Sequence, residues 1–157
     1  MRVVPILGLL AFVAGCSSSS SDAQQQPTTT TPSLCATDSR AQTYSAGMEQ
    51  MGTGGAVGVK LTNIDPNPVY KGDNDWTISV VDASGAPVTA ATIKVTPFMP
   101  DHGHGSSIVP TVTEQSGGSY DVNHVNLFMP GIWQITFDVT TAAGVHDASV
   151  FTFCVND

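Results

Sequence analysis

Charge is scarce in this sequence. Of 157 residues only 11% are Asp, Glu, Lys or Arg, and five of these are basic against thirteen acidic, a net charge of −8. So few cations exclude a nucleic-acid partner, whose phosphates are recognised by basic side chains, and argue against docking on an anionic membrane surface. No apolar run reaches the roughly 20 residues that a membrane-crossing helix needs. No stretch keeps a helical period of useful length. Cysteine is sparse, with three in the chain, and neither Cys35 nor Cys154 has a histidine or second cysteine at zinc spacing. Glycine-rich phosphate cradles and paired carboxylates are missing too. Asp101, His102 and Ser106 or Ser107 have the side-chain types of a hydrolase triad. They crowd into one loop, however, and no nucleophile turn frames a serine, so they cannot converge as a triad must. An enzyme is therefore not expected.

The chain opens with "MRVVPILGLLAFVAGC", residues 1–16. A positive start at Arg2, an apolar run from Val3 to Val13 and small residues before Cys16 mark an export leader. The ending resembles the lipobox of bacterial lipoproteins. That resemblance implies removal of residues 1–15, with Cys16 becoming the lipid-bearing first residue and the membrane a partner through this anchor. Ser17 in place of an acidic residue implies the outer membrane, where the cell has one. Residues 17–32, "SSSSSDAQQQPTTTTP", contain no apolar side chain larger than Ala and cannot offset the entropy of ordering. Cys16 and the stretch to residue 34 thus read as an anchor and flexible tether, and residues 35–157 as one folded domain. Loss of the leader takes Arg2 away, leaving four basic and thirteen acidic side chains, a charge of −9.

With Cys16 lipidated, Cys35 and Cys154 remain, one at each end of the domain. An oxidising compartment favours a disulfide between them. Closing so long a loop is worth up to ~4–5 kcal/mol in the chain-entropy model.

Short runs rich in Val, Ile, Thr and aromatics alternate with turns from Val57 onward. Examples are "VGVKLTNID" (Val57–Asp65), "DWTISVVD" (Asp75–Asp82) and "IWQITFDVT" (Ile132–Thr140), each with apolar residues on one face. Further runs cover Ala91–Phe98, Ser106–Glu114, Ser119–Phe128 and His146–Cys154. Pro110 makes its run an edge strand or a broken one. A parity switch between Tyr120/Val122 and Val125/Leu127 predicts a bulge. The pattern predicts an all-β, immunoglobulin-like sandwich of about seven antiparallel strands, with Trp76 and Trp133 giving the core its bulk. "DSRAQTYSAGMEQMG" (Asp38–Gly52) could hold a turn or two of helix, and Met48 and Met51 are expected to pack over the open end before the first strand.

The most distinctive stretch is "PFMPDHGHG", Pro97 to Gly105, echoed by "LFMPG", Leu127 to Gly131. Antiparallel strands place successive connections at alternate ends of a sandwich. Two reversals separate the copies, so Met99, His102, His104 and Met129 should share one end. Thioether sulfur suits Cu(I), and imidazole suits both copper oxidation states. Two Met and two His could therefore hold copper. Pro100 keeps Met99 extended, the glycines allow steep turns, and Met129-Pro130-Gly131 fits a type II turn. The residues alone leave open that the methionines merely cap the core and that the histidines form a polar loop. His124 could approach the same end or lie exposed on its strand.

"NDWTISVVDASGAPVTAATIKVTPFMPDHGHG" and "GSYDVNHVNLFMPGIWQITFDV" together resemble the YtkA-like domain and, more distantly, FixH-type proteins associated with copper oxidase assembly. The resemblance covers roughly residues 55–153. It implies an immunoglobulin-like fold, an exported or membrane-anchored setting and copper handling, with a copper ion as cofactor and a copper-receiving envelope protein as a further partner. The expected function is a lipid-anchored, extracytoplasmic copper-binding domain for storage, shielding or delivery. The alternative is an immunoglobulin-like interaction module of the cell envelope, with Phe98, Met99, Phe128 and Met129 as an apolar patch.

Overall fold

Period-two alternation dictates the architecture. The computed structural model describes residue 35 and residues 37–157. The leader expected over residues 1–15, the lipid on Cys16 and the tether to residue 34 lie outside the described residues. Among the described residues there are nine strands and no helix: β1 (Met48–Met51), β2 (Val57–Asp65), β3 (Gly72–Asp82), β4 (Thr92–Met99), β5 (His104–Gly105), β6 (Thr111–Glu114), β7 (Ser119–Leu127), β8 (Gly131–Thr140) and β9 (His146–Val155). They form two antiparallel sheets, ordered β1-β2-β3-β7-β6 and β5-β4-β8-β9. Without β1 and β5, the orders β2-β3-β7-β6 and β4-β8-β9 are those of a seven-stranded immunoglobulin sandwich.

The alternating strands bury their apolar faces as the pattern requires. Trp133, Ile135, Phe137 and Val139 of β8 are all buried, as are Trp76, Ile78 and Val80 of β3. Trp76 meets Phe153 edge-on at 5.8 Å, and Phe137 meets Phe151 at 5.7 Å in the same manner. These are the arrangements that ring quadrupoles favour. Pro110 precedes β6, which is the edge of its sheet, where a missing N–H is tolerated. The predicted bulge is present. Pairing of β3 with β7 jumps from Asn74↔Val125 to Trp76↔Val122. His124 takes up the extra residue at φ 62°, and the Asp75 carboxylate accepts its N–H at 3.0 Å. The parity switch then leaves Tyr120, Val122, Val125 and Leu127 all buried.

Two strands exceed the expected set. Residues 48–51 are not a helical turn or a cap over an open end. They pair with β2 as an edge strand, Met48 opposite Leu61 and Met51 opposite Gly58. Four residues are too few to display a period in the sequence. The second, β5, only extends the hairpin leaving β4.

Two locks, one covalent and one of hydrogen bonds, close the ends. Cys35 and Cys154 form a disulfide spanning 119 residues, Cα–Cα 5.6 Å. It ties the leading segment to the end of β9. Gln42 continues the attachment. Its N–H donates to Thr152 O, and its side-chain oxygen accepts the Thr152 N–H, both at 2.8 Å. At the opposite end Asp147, at the start of β9, accepts N–H groups from Gly54 and Ala56, each at 2.8 Å, and from Val57 at 3.2 Å. The turn before β2 is thereby held against β9.

Candidate functional site

Strand β4 ends at Met99, and the chain reverses through Pro100–Gly103 into β5. The N–H groups of His102 and Gly103 both donate to Met99 O, at 3.3 and 2.9 Å, with Gly103 at φ 69°. Glycine is required again at Gly105, where a Cβ would lie 2.6 Å from Pro97 O. This tight return sets Met99 opposite His104 in the ladder. Directly opposed residues project from the same face of a sheet, and Met99 is 0% exposed. His104 therefore projects from the core-facing side at the sheet's edge, half-buried, while His102 is exposed.

The second Phe-Met-Pro copy lies beside the first. A Cβ on Gly131 would come 2.7 Å from Met99 Cε, so the Met99 methyl rests on the Gly131 α-carbon. Gly131 has φ 133° and already begins β8. Its φ is well away from the roughly +80° of the expected type II turn, because its backbone is committed to pairing with Val155. A chain of rings joins the two copies. His102 meets His104 edge-on at 5.6 Å, His104 stacks on Phe128 at 5.6 Å, and Phe128 meets Trp133 edge-on at 5.5 Å. Trp133 Nε1 donates to Met129 O at 2.9 Å, and the Met129 side chain packs against the core.

The fold thus collects Met99, His102, His104 and Met129 at one end. It keeps His124 out of that group. The His124 ring is exposed and lies 3.6 Å from an Asp73 carboxylate oxygen. Among the described residues no three of His, Cys, Asp and Glu converge as a metal site.

Sequence reasoning missed Arg40. Its Nη1 and Nη2 donate to Asp101 Oδ1 and Oδ2, both at 2.7 Å. Its Nε and Nη2 also donate to Asp38, at 3.0 and 2.6 Å. This fork pushes the Asp38 carboxyl down to about 2 and holds Asp101 below the usual carboxylate range, in each case mainly through hydrogen bonding to the guanidinium. The only signal was the rarity of basic residues, which gives no hint of contact across sixty-one positions. A separate cleft of about 310 Å³ lies over the disulfide, lined by Cys35, Gln42, Tyr44, Asn67 and Phe153 among others, and none of the four candidate ligands borders it.

The family model described as YtkA-like matches residues 55–138. The chain belongs to the YtkA-like family. The YtkA-like segment runs from just before β2 to near the end of β8 and contains all four candidate ligands. Arg40, Cys35 and Cys154 fall outside it. No match was found among curated proteins. Similar solved structures include a DUF4785-family protein of Legionella pneumophila, 14% identical, covering 64% of this chain and 29% of that one, TM-score 0.47. The chain thus spans less than a third of that protein's length. FetP of uropathogenic Escherichia coli is 13% identical, with 71% and 95% of the two chains covered and a TM-score of 0.42. A copper-bound variant of the same FetP gives 12%, 70%, 96% and 0.40. All three TM-scores are below 0.5, so the functional reading of this YtkA-like chain stands on its own residues.

Proposed function

We propose that this protein binds copper outside the cytoplasm, anchored to the envelope through Cys16, and stores, shields or passes the ion without chemical turnover. Met99, His102, His104 and Met129 supply the donors. The observation that carries the reading is the pairing of Met99 with His104 on one face, with the second Phe-Met-Pro copy in contact through Gly131. Two thioethers and two imidazoles form a neutral donor set. A monovalent, soft ion suits such a set, because neutral and partly dry surroundings disfavour a strongly hydrated divalent ion. Because Met99 is fully covered, copper entry requires the chain around it to open.

Titration of the intact chain with Cu(I) against a competing chelator tests this. Replacing Met99 and Met129 together by Leu removes both sulfurs at nearly constant volume, a type of swap that usually costs less than ~1.5 kcal/mol. Cu(I) affinity should fall by more than the roughly tenfold that loss of even an outer-shell partner costs a metal site. Unchanged affinity in a folded double variant refutes the thioether assignment. The interaction-module reading is favoured by Phe128, 48% exposed. Met99 has no place in its apolar patch, since that side chain is fully covered. Partner capture that persists in chelator and is lost on Phe128→Ala supports this second reading.

A further inference from the structure

Asp101 sits between Pro100 and His102 in the connection that carries the candidate ligands. It is the one carboxylate between Met99 and Gly105. As placed, this carboxylate does not converge with the two imidazoles, but if released and turned toward them it would add a hard oxygen donor, a combination that suits Zn(II) and Cu(II) far better than Cu(I). Both of its oxygens are instead occupied by the Arg40 fork at 2.7 Å. We propose that Arg40 is a specificity-determining residue, which withholds the Asp101 carboxylate from the Met/His site and so keeps that site selective for monovalent copper over divalent ions. The inference rests on the copper reading above and adds how the same site discriminates between metals.

The geometry around Arg40 is built for this task. Asp38 binds the other side of the guanidinium through Nε and Nη2, so the fork is oriented before it meets Asp101. The segment bearing Arg40 is fastened on both sides, by the Cys35–Cys154 disulfide and by the Gln42–Thr152 pair. Its side chain is thereby delivered across the Pro100–Gly103 connection. Only Arg can grip two carboxylate oxygens in this planar manner; Lys would keep the charge and lose the grip. The two side chains are 43% and 49% exposed, so the pair contributes little to folding and can be removed without unfolding the domain.

The test measures Zn(II) and Cu(I) affinities of the intact chain and three variants: Arg40→Gln, Arg40→Lys, and Arg40→Gln with Asp101→Asn. Releasing the carboxylate from an exposed ion pair should raise the ratio of Zn(II) to Cu(I) affinity by about fivefold in both single variants. The double variant should return to the original ratio. Two outcomes overturn the proposal while leaving copper binding intact. One is an unchanged ratio in the single variants. The other is a rise that survives Asp101→Asn, which would assign the effect to lost positive charge. Failure of the unmodified chain to bind Cu(I) sinks the underlying reading as well.

Discussion

Replacing Asp147 by Asn changes one oxygen into an NH2 group and should unlock the end of the sandwich opposite the candidate site. The Asp147 carboxylate is 4% exposed. One oxygen accepts from Gly54 N and Ala148 N, at 2.8 and 2.9 Å. The other accepts from Ala56 N and Val57 N, at 2.8 and 3.2 Å. These donors, Gly54 first, bring the carboxyl from its ordinary 3.8 down to about 2. Such a difference between folded and unfolded chains corresponds to about 2 kcal/mol of stability. Because the folded value is the lower one, this contribution is complete above about pH 4 and vanishes as the pH falls toward 2. Asn presents an NH2 group to two backbone donors and leaves them unsatisfied, a cost of about 2–3 kcal/mol at neutral pH. Urea unfolding followed by tryptophan fluorescence, at intervals from pH 7 to pH 2, reads both effects. Asp38, Asp82 and Asp101 are also held low, by Arg40, Ser84 and Arg40 respectively. Both proteins share their titration, so the difference between the two curves isolates Asp147. That difference should shrink by about 2 kcal/mol between pH 5 and pH 2. A variant within about 0.5 kcal/mol of the parent at neutral pH, or two curves that stay parallel, refutes the anchoring role assigned to this carboxylate.

Two further outcomes follow from the packing. Replacing Cys35 and Cys154 together by Ser should cost about 4 kcal/mol in urea unfolding, given a closed loop of this length, and adding reductant should then change the variant no further. Gly131→Ala puts a methyl 2.7 Å from Met99 Cε at a backbone φ of 133°. It should destabilise by about 1–3 kcal/mol, and nuclear magnetic resonance should show the Met99 methyl signal shifted from its parent position.

The sandwich was legible because strands such as β8 write their two faces into the sequence without interruption. The bulge was legible for the same reason: a buried set that changes parity between Val122 and Val125 must absorb one residue. The shared end of Met99, His102, His104 and Met129 followed from counting reversals, which needs only that each run be identified as a strand. What the count could not supply was depth. It placed Met99 and Phe128 at the same end but gave no sign that one would be covered and the other exposed, since that depends on Gly131 leaving room for a methyl. Residues 48–51 were misread because a four-residue edge strand between glycines has no period to read. Arg40 was invisible for a different reason. Its contact with Asp101 is made by the leading segment folding back along β9, and that path is set by a disulfide and one glutamine rather than by any repeating pattern.

The division between what the family model covers and what it leaves out bears on how the end of the domain works. The four candidate donors lie within residues 55–138, Met99 and His104 on strands and His102 and Met129 in the short connections that those strands hold. The device that restrains Asp101 lies outside that span, on a segment held by Cys35, Cys154 and Gln42. On the proposed reading, donor geometry and donor selection are carried by separate parts of the chain, and different changes should disturb them. Loss of the disulfide should loosen Arg40 while β4, β5 and β8 still hold Met99, His104 and Gly131 together through their own ladders. In that state copper affinity should outlast metal selectivity. A chain that lost both in step would show that the leading segment shapes the donor cluster itself, and the two-part reading would have to be given up.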